Sequence, residues 1–561
     1  MKFRNVAAAL VLIALLAAAG YAAQWLTLLG WNAVVEYPSP YARPLPSGRG
    51  GPALAGRVVL VVVDGLRLDT SERMSVLNAL RTRGAAFVAW TGEPSLSLPG
   101  WTALVSGAAP EISGVTTNWY EGPVRVDTLF AAAKRSGLST AVTGSPGWAG
   151  LFGPEIDEHI LVGDPAGEAP VEAVYRVDHE VADGAMDILQ RGQAQLVVVH
   201  FPSVDLVGHR FGGASAEYAE AARRVDGHLR DVLALLDLTR DTLLVTSDHG
   251  HLDAGGHGGW EPVVKRTPLV LAGRGIRSGQ GRADVRQLDV APTVAILLGI
   301  PIPSHNQGRP LVEAIDVDAA QAASRWIEQQ AAFYRAQERV LRVDEPRSGD
   351  GGILAAANAF AGNYAAARAD RLARERLDRL PLAATAIILP LLGVLWLVQR
   401  RLLWPALAGA AVFFAVDYAL FFLRGYTFSL SVFNSEAQIL AFFNQRLIEA
   451  ALALAAGALV AGFNTARRGP ADAFLGALGV AYVAAYAILV QVAYFYWQWD
   501  VRFAWYLPDM RLGFKYYLDL LMLVPVGFLA ALSGVVGLLG RWLIRVTTGT
   551  RRGAAPFPKP G

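Results

Sequence analysis

The chain has 561 residues, 53% of them hydrophobic and only 17% charged, with a mean hydropathy of +0.33. So oily a composition excludes a single ordinary soluble enzyme. The formal net charge of +2 leaves no nucleic-acid-binding surface evident, and the absence of Cys excludes disulfides, thiolate metal sites and Cys nucleophiles.

In chain order, Val6 to Leu29 follows the basic Lys2 and Arg4 and suffices, at about 1.5 Å per residue, to cross a hydrocarbon core of about 30 Å. Residues 1–31 therefore read as an uncleaved transmembrane anchor. Small residues around Ala17 to Ala23 also suit a signal peptide, but the apolar run continuing through Trp25 and Leu29 favours retention.

Residues 50–318 alternate short β-branched runs with helical stretches, the pattern of an α/β domain with a mostly parallel sheet sandwiched by helices. Strands are predicted at 58–63, 140–143, 196–199, 243–246 and 269–272, with a helix over 216–236. Ligands gather beyond the carboxyl ends of such strands. There stand Asp64 in VVVDG, Asp205 and His209 in VDLVGH, and Asp248, His249 and His257 in SDHGHLDAGGHGG. Carboxylate and imidazole together suit zinc, with manganese or iron compatible, and the number of donors exceeds what one ion needs. Two divalent ions are the expected count. His200, His228 and His251 read as surface or supporting residues. Ser97, in a turn before a helix starting near Pro99, is a helix cap in the plainer reading. Beside divalent ions the same hydroxyl can become a nucleophile.

Residues 319–380 read as a helical linker broken at SGDGG, 348–352. Residues 381–545 then form a five-helix transmembrane region, with spans at Leu382 to Val398, Leu403 to Leu423, Leu447 to Phe463, Phe474 to Tyr496 and Leu518 to Leu539. A basic tail occupies 546–561. Arg400, Arg401, Arg467, Arg468, Arg541 and Arg545 share the side of Lys2, so both termini are expected to be cytoplasmic and the globular domain extracytoplasmic. Asp417, Glu449 and Asp519 lie in or near spans, where acids are costly, and are expected to form an acidic recess for a lipid head group. A competing reading makes the membrane helices a transporter and the outer domain inert.

VVVDG, PSLSLPGWTALVSGAAPE, VDLVGH, SDHG and GGHG together resemble the two-zinc site of the alkaline phosphatase superfamily, in its type I phosphodiesterase/nucleotide pyrophosphatase branch. The resemblance covers residues 57–310 and implies an alkaline-phosphatase-like fold. It implies one zinc held by Asp205, His209 and His257, and another by Asp64, Asp248 and His249 with Ser97 as the nucleophile bound to it. Asn118, in ISGVTTNWY, resembles the family amide that binds a phosphate oxygen. Three positions depart: Ser97 replaces the commoner Thr, Ser113 a family His, and Trp101 stands where sulfatases carry Arg. The layout of anchor, outer domain and several spans is similar to that of the GPI ethanolamine phosphate transferases. The implied activity is a membrane-bound phosphodiesterase working outside the cytoplasm through a phosphoserine intermediate. Its alternative is a phosphoethanolamine-type head-group transferase. The expected partners are a phosphodiester substrate, with a lipid head group as one form of it, and membrane lipids.

Overall fold

The computed structural model describes residues 3–165, 169–343 and 353–549. Its globular part is built on one eight-stranded sheet: β1 (Arg57–Val63), β2 (Ala85–Trp90), β3 (Thr140–Gly144), β4 (Glu158–Leu161), β5 (Leu196–Phe201), β6 (Asp241–Thr246), β7 (Arg266–Gly273) and β8 (Gln280–Arg286), in the order β4-β3-β5-β1-β6-β7-β2-β8. Every pairing is parallel except the two made by β7. The fold is thus the mostly parallel, helix-flanked sheet expected, joined to several long apolar helices.

The run VVLVVV is apolar throughout because β1 is covered on both faces. Val58, Leu60 and Val62 pack with Leu104 of α2 (Ser97–Ser106) and with Val290 and Val294. Val59, Val61 and Val63 face the other layer, formed by α3 (Val171–Arg191), α4 (Ser203–Phe211) and α5 (Ala216–Ala234). Three strands were not expected. β2 is buried but rich in Ala, a weak strand former, β4 has four residues, and β8 is the polar edge strand QGRADVR.

After α6 (Ala319–Leu341), α7 (Ile353–Ile388) runs through Pro381 from the linker into the second apolar stretch, continued by α8 (Leu391–Gln399). The break expected at 348–352 lies outside the described residues. Arg368 of α7 donates to Glu111 of the globular part (2.7 Å), fastening the two together. α1 (Phe3–Val35), α9 (Leu403–Leu423), α10 (Glu436–Asn464), α11 (Pro470–Trp499), α12 (Met510–Phe528) and α13 (Ala530–Gly549) form the rest of the described helical part. Among the described residues, six helices are long and apolar enough to cross a membrane. The span expected over Leu518 to Leu539 is divided between α12 and α13 at Leu529, four residues after Pro525, whose missing N–H weakens helical continuity. Helix α13 also includes residues 546–549, expected in the tail; residues 550–561 of that tail lie outside the described residues.

Candidate metal centre and its surroundings

Three neighbouring parallel strands, β5, β1 and β6, deliver the site from their carboxyl ends. Asp64 directly follows β1. Asp205 lies in the first turn of α4, just after β5, and Asp178 holds that turn by accepting Ser203 N–H (3.1 Å). His209 lies four residues further along α4, on the same helical face, with Nε2 3.3 Å from Asp205 Oδ2. Asp248 and His249 follow β6.

Asp205, His209, His251 and His257 offer donor atoms that all lie within 4.8 Å of one another, as do Asp64, Asp205 and His249. Ser97 and Asp248 adjoin the second group through His249, whose Nε2 is 3.2 Å from Ser97 Oγ and 3.5 Å from Asp248 Oδ2. All seven predicted metal-site residues are thereby brought to one place. Ser97 is the first residue of α2 and its hydroxyl caps nothing, so the plainer reading of it fails. Asn118 is also nearby: its Oδ1 accepts the N–H of Leu98, the residue after Ser97, at 3.0 Å. Trp101, where sulfatases have Arg, stacks on Trp148 (ring centroids 5.1 Å apart) and donates its indole N–H to Asp248 Oδ2 at 3.0 Å. Ser113 serves a local turn, accepting from Val115 N–H.

The second nitrogen of each ring separates two kinds of His. His249 Nδ1 faces the Gly250 carbonyl (3.2 Å) and His257 Nδ1 the Ser95 carbonyl (3.0 Å). A carbonyl only accepts, so both rings carry their proton on Nδ1 and turn the Nε2 lone pair toward the cluster. His200 Nδ1 instead accepts from Ser145 N–H, so its Nε2–H donates to Asp64 Oδ2 at 2.8 Å. His251 Nδ1 is buried without an acceptor, which places its proton on the Nε2 lying 2.7 Å from Asp205 Oδ1. Neither His200 nor His251 is a surface residue. Both are fully buried supports of a carboxylate, and His251 falls within one of the donor groups. His228, half-buried against Phe201, stands apart.

Burial, with the charges of neighbouring carboxylates, pushes Asp64 well above the usual carboxylate range, and burial likewise raises Asp248. Asp205 is also buried, but His209 and His251 hold it well below that range. Burial lowers His200 to about 3 and His251 to about 4. Two guanidinium groups near the motifs are engaged elsewhere, Arg67 by Asp69 and Asp253 and Arg210 by the Ala169 carbonyl. Asp64 Oδ1 is buried with no partner, and the His209 and His257 Nε2 atoms face each other at 3.1 Å. Crowded carboxylates, inward lone pairs and an orphaned oxygen fit divalent cations held by N and O donors.

Residues 58–265 match the family model described as Type I phosphodiesterase / nucleotide pyrophosphatase. That match lies within the globular part of the chain. Mouse GPI ethanolamine phosphate transferase 1 is 27% identical over 320 residues, 48% of this chain and 33% of that protein. The catalytic subunit of human GPI ethanolamine phosphate transferase 2 is 28% identical over 283 residues, 47% of this chain and 28% of that protein. The chain therefore spans about a third of the length of these relatives. Among solved structures, alkaline phosphatase PafA aligns with a TM-score of 0.39 at 15% identity, over 47% of this chain and 99% of that one. Murine ectonucleotide pyrophosphatase/phosphodiesterase 5 aligns with a TM-score of 0.36 at 13% identity, over 44% and 96%.

A cavity of about 460 Å³ opens from His209, His257 and Asn118 and continues between the long helices, past Trp31, Phe443 and Tyr517. The acidic recess expected beneath the domain is not formed. Asp417 accepts from Arg446 (2.5 Å), Glu449 from Arg424 (2.6 Å) and Arg446, and Asp519 from Lys515. Arg446 precedes Glu449 by three residues and Lys515 precedes Asp519 by four, so each basic side chain shares a helix face with an acid.

Proposed function

We propose that the chain transfers the phosphorylated head group of a membrane lipid, by way of Ser97, to an acceptor hydroxyl on the extracytoplasmic side of a membrane. The observation that carries this reading is the apolar cavity linking His209, His257 and Asn118 to the long helices, a shape suited to a lipid whose phosphodiester reaches the cluster. The names of the relatives favour phosphoethanolamine as the group moved. Simple phosphodiester hydrolysis is the same chemistry with water as acceptor.

Asp205, His209 and His257 would hold one zinc ion, and Asp64, Asp248, His249 and Ser97 the other. Such ions neutralise phosphate oxygens and lower the pKa of a bound hydroxyl. His200 and His251 keep the carboxylates of Asp64 and Asp205 oriented, and Asn118 offers its amide N–H to a non-bridging oxygen. That amide matches one negative charge rather than two, and with Arg67 and Arg210 engaged elsewhere a diester is preferred to a monoester. Ser97 Oγ bonds to phosphorus as the phosphorus–oxygen bond to the diacylglycerol breaks, and the alcohol leaves with a proton. The head group stays as a phosphodiester on Ser97 until an acceptor hydroxyl displaces the serine.

The test is to incubate the zinc-supplemented full chain with vesicles of phosphatidylethanolamine and phosphatidylcholine, quench in acid, and weigh the peptide containing Ser97. A phosphoethanolamine adduct is expected. Ser97→Ala should lose it and reduce release of diacylglycerol by on the order of 10³-fold or more, with bound metal unchanged. Lipid turnover that persists in Ser97→Ala would overturn the nucleophile.

A further inference from the structure

The segment carrying His257 joins β6 to β7 and has glycine at 255, 256, 258 and 259. The first three adopt φ of 95°, 86° and 106°, the left-handed half of backbone space. Such a segment has little stiffness of its own. Its conformation is imposed by residues 428–434, which connect α9 to α10 and so belong to the long apolar helices.

Ser431 Oγ accepts Gly259 N–H (2.9 Å) and donates to Glu261 Oε2 (2.8 Å). Asn434 Nδ2 donates to the Ala254 carbonyl (3.2 Å), and Trp260 Nε1 to the Phe428 carbonyl (3.3 Å). The two backbones are stacked so closely that a Cβ on Gly256 would collide with the Ser431 carbonyl, and one on Gly255 with Asn434 Oδ1. The glycines are therefore required by the approach of the helix connection. From the opposite side, Ser95 completes the grip. It accepts from His257 Nδ1 through its carbonyl, and its own N–H (3.3 Å) and hydroxyl (2.8 Å) donate to the carbonyls of Gly258 and Gly259.

We infer that Ser431 and Asn434 are positioning residues of the cation centre, acting through the glycine segment to hold His257 against His209. This rests on the reading of His257 as a cation ligand. Its consequence is an asymmetry. Asp64, Asp248 and His249 stand at strand ends and owe their places to the sheet. The group containing His257 is completed only when the helix connection is docked, so one ion depends on the membrane part and the other does not.

The experiment is a zinc titration of the full chain in detergent against a competing chelator, on wild type, the double variant Ser431→Ala/Asn434→Ala, and Gly256→Ala, which pushes the same two backbones apart from the other side. Wild type should show two binding steps. Each variant should weaken one step by 10–100-fold, the range for loss of outer supports of a metal ligand, and leave the other in place. Ser431→Thr, which keeps the hydroxyl, should restore the weakened step toward wild type. Two unchanged steps in the double variant and Gly256→Ala would overturn the inference while leaving the proposed function standing, and so would an equal loss of both steps, which signals general loosening. Absence of any zinc step in wild type would instead remove the metal-centre reading itself.

Discussion

The two halves of the molecule treat buried charge in opposite ways. At the sheet edge, Asp64, Asp205 and Asp248 converge with imidazole nitrogens, and the guanidinium groups of Arg67 and Arg210 are turned to other partners. Among the long helices, Asp417, Glu449 and Asp519 each have an Arg or Lys partner. Charges neutralised by the chain's own side chains maintain a fold; charges left crowded and incomplete are suited to an ion from outside. The contrast argues for chemistry at the sheet edge and a supporting role for the helix acids. It also turns the argument away from a transporter, for which unpaired intramembrane acids would be the natural signature.

The contrast is most strongly challenged at Arg446, which serves both Asp417 and Glu449. Arg446→Leu should destabilise the chain by about 3–5 kcal/mol, the cost of leaving buried partners uncompensated. Unfolding in detergent measures this, and the fraction that remains folded should hold its full complement of metal. Loss of metal without loss of stability would reverse the roles assigned to the two regions.

Asp178 is the intermediate case, a buried carboxylate with hydrogen bonds but no cation. Burial pushes its pKa up from 3.8 to about 7. A folded-state pKa above the unfolded value means that its contribution to stability is complete below about pH 4 and is lost as pH rises through about 7. At roughly 1.4 kcal/mol per pH unit the loss is on the order of 4 kcal/mol at most. Asp178→Asn can still accept Ser203 N–H and should remove this slope from the pH dependence of unfolding; an unchanged slope would mean another group sets it.

A smaller effect is expected at Trp101. Trp101→Phe keeps the stacking on Trp148 but removes the N–H donated to Asp248. Metal affinity should fall about tenfold, the lower end for loss of a supporting bond, with thermal stability nearly unchanged.

Much of the sheet edge was legible in the sequence because ligand types placed just after buried strands are a local signal. Asp64 after VVLVVV and Asp248-His249 after LLVT need no knowledge of distant partners. β8 escaped because an edge strand need not be apolar, and the division at Leu529 because Pro525 sits inside a run that is apolar throughout. The pairing of Glu449 could have been read from Arg446 three residues earlier. The two-residue separation of His251 from His249 gives no pattern by which His251 could be recognised, because the segment after β6 is irregular and successive side chains need not alternate there. The contact of residues 428–434 with the His257 segment spans some 170 residues of chain and left only an unexplained density of glycine as its trace.

Metal content tests the central claim most directly. The full chain, purified in detergent with zinc and dialysed, should carry two divalent ions by elemental analysis. His257→Ala and Asp64→Ala should each fall to about one, and the combined variant to none. Wild type without bound metal, or the same content in all four proteins, would contradict the account.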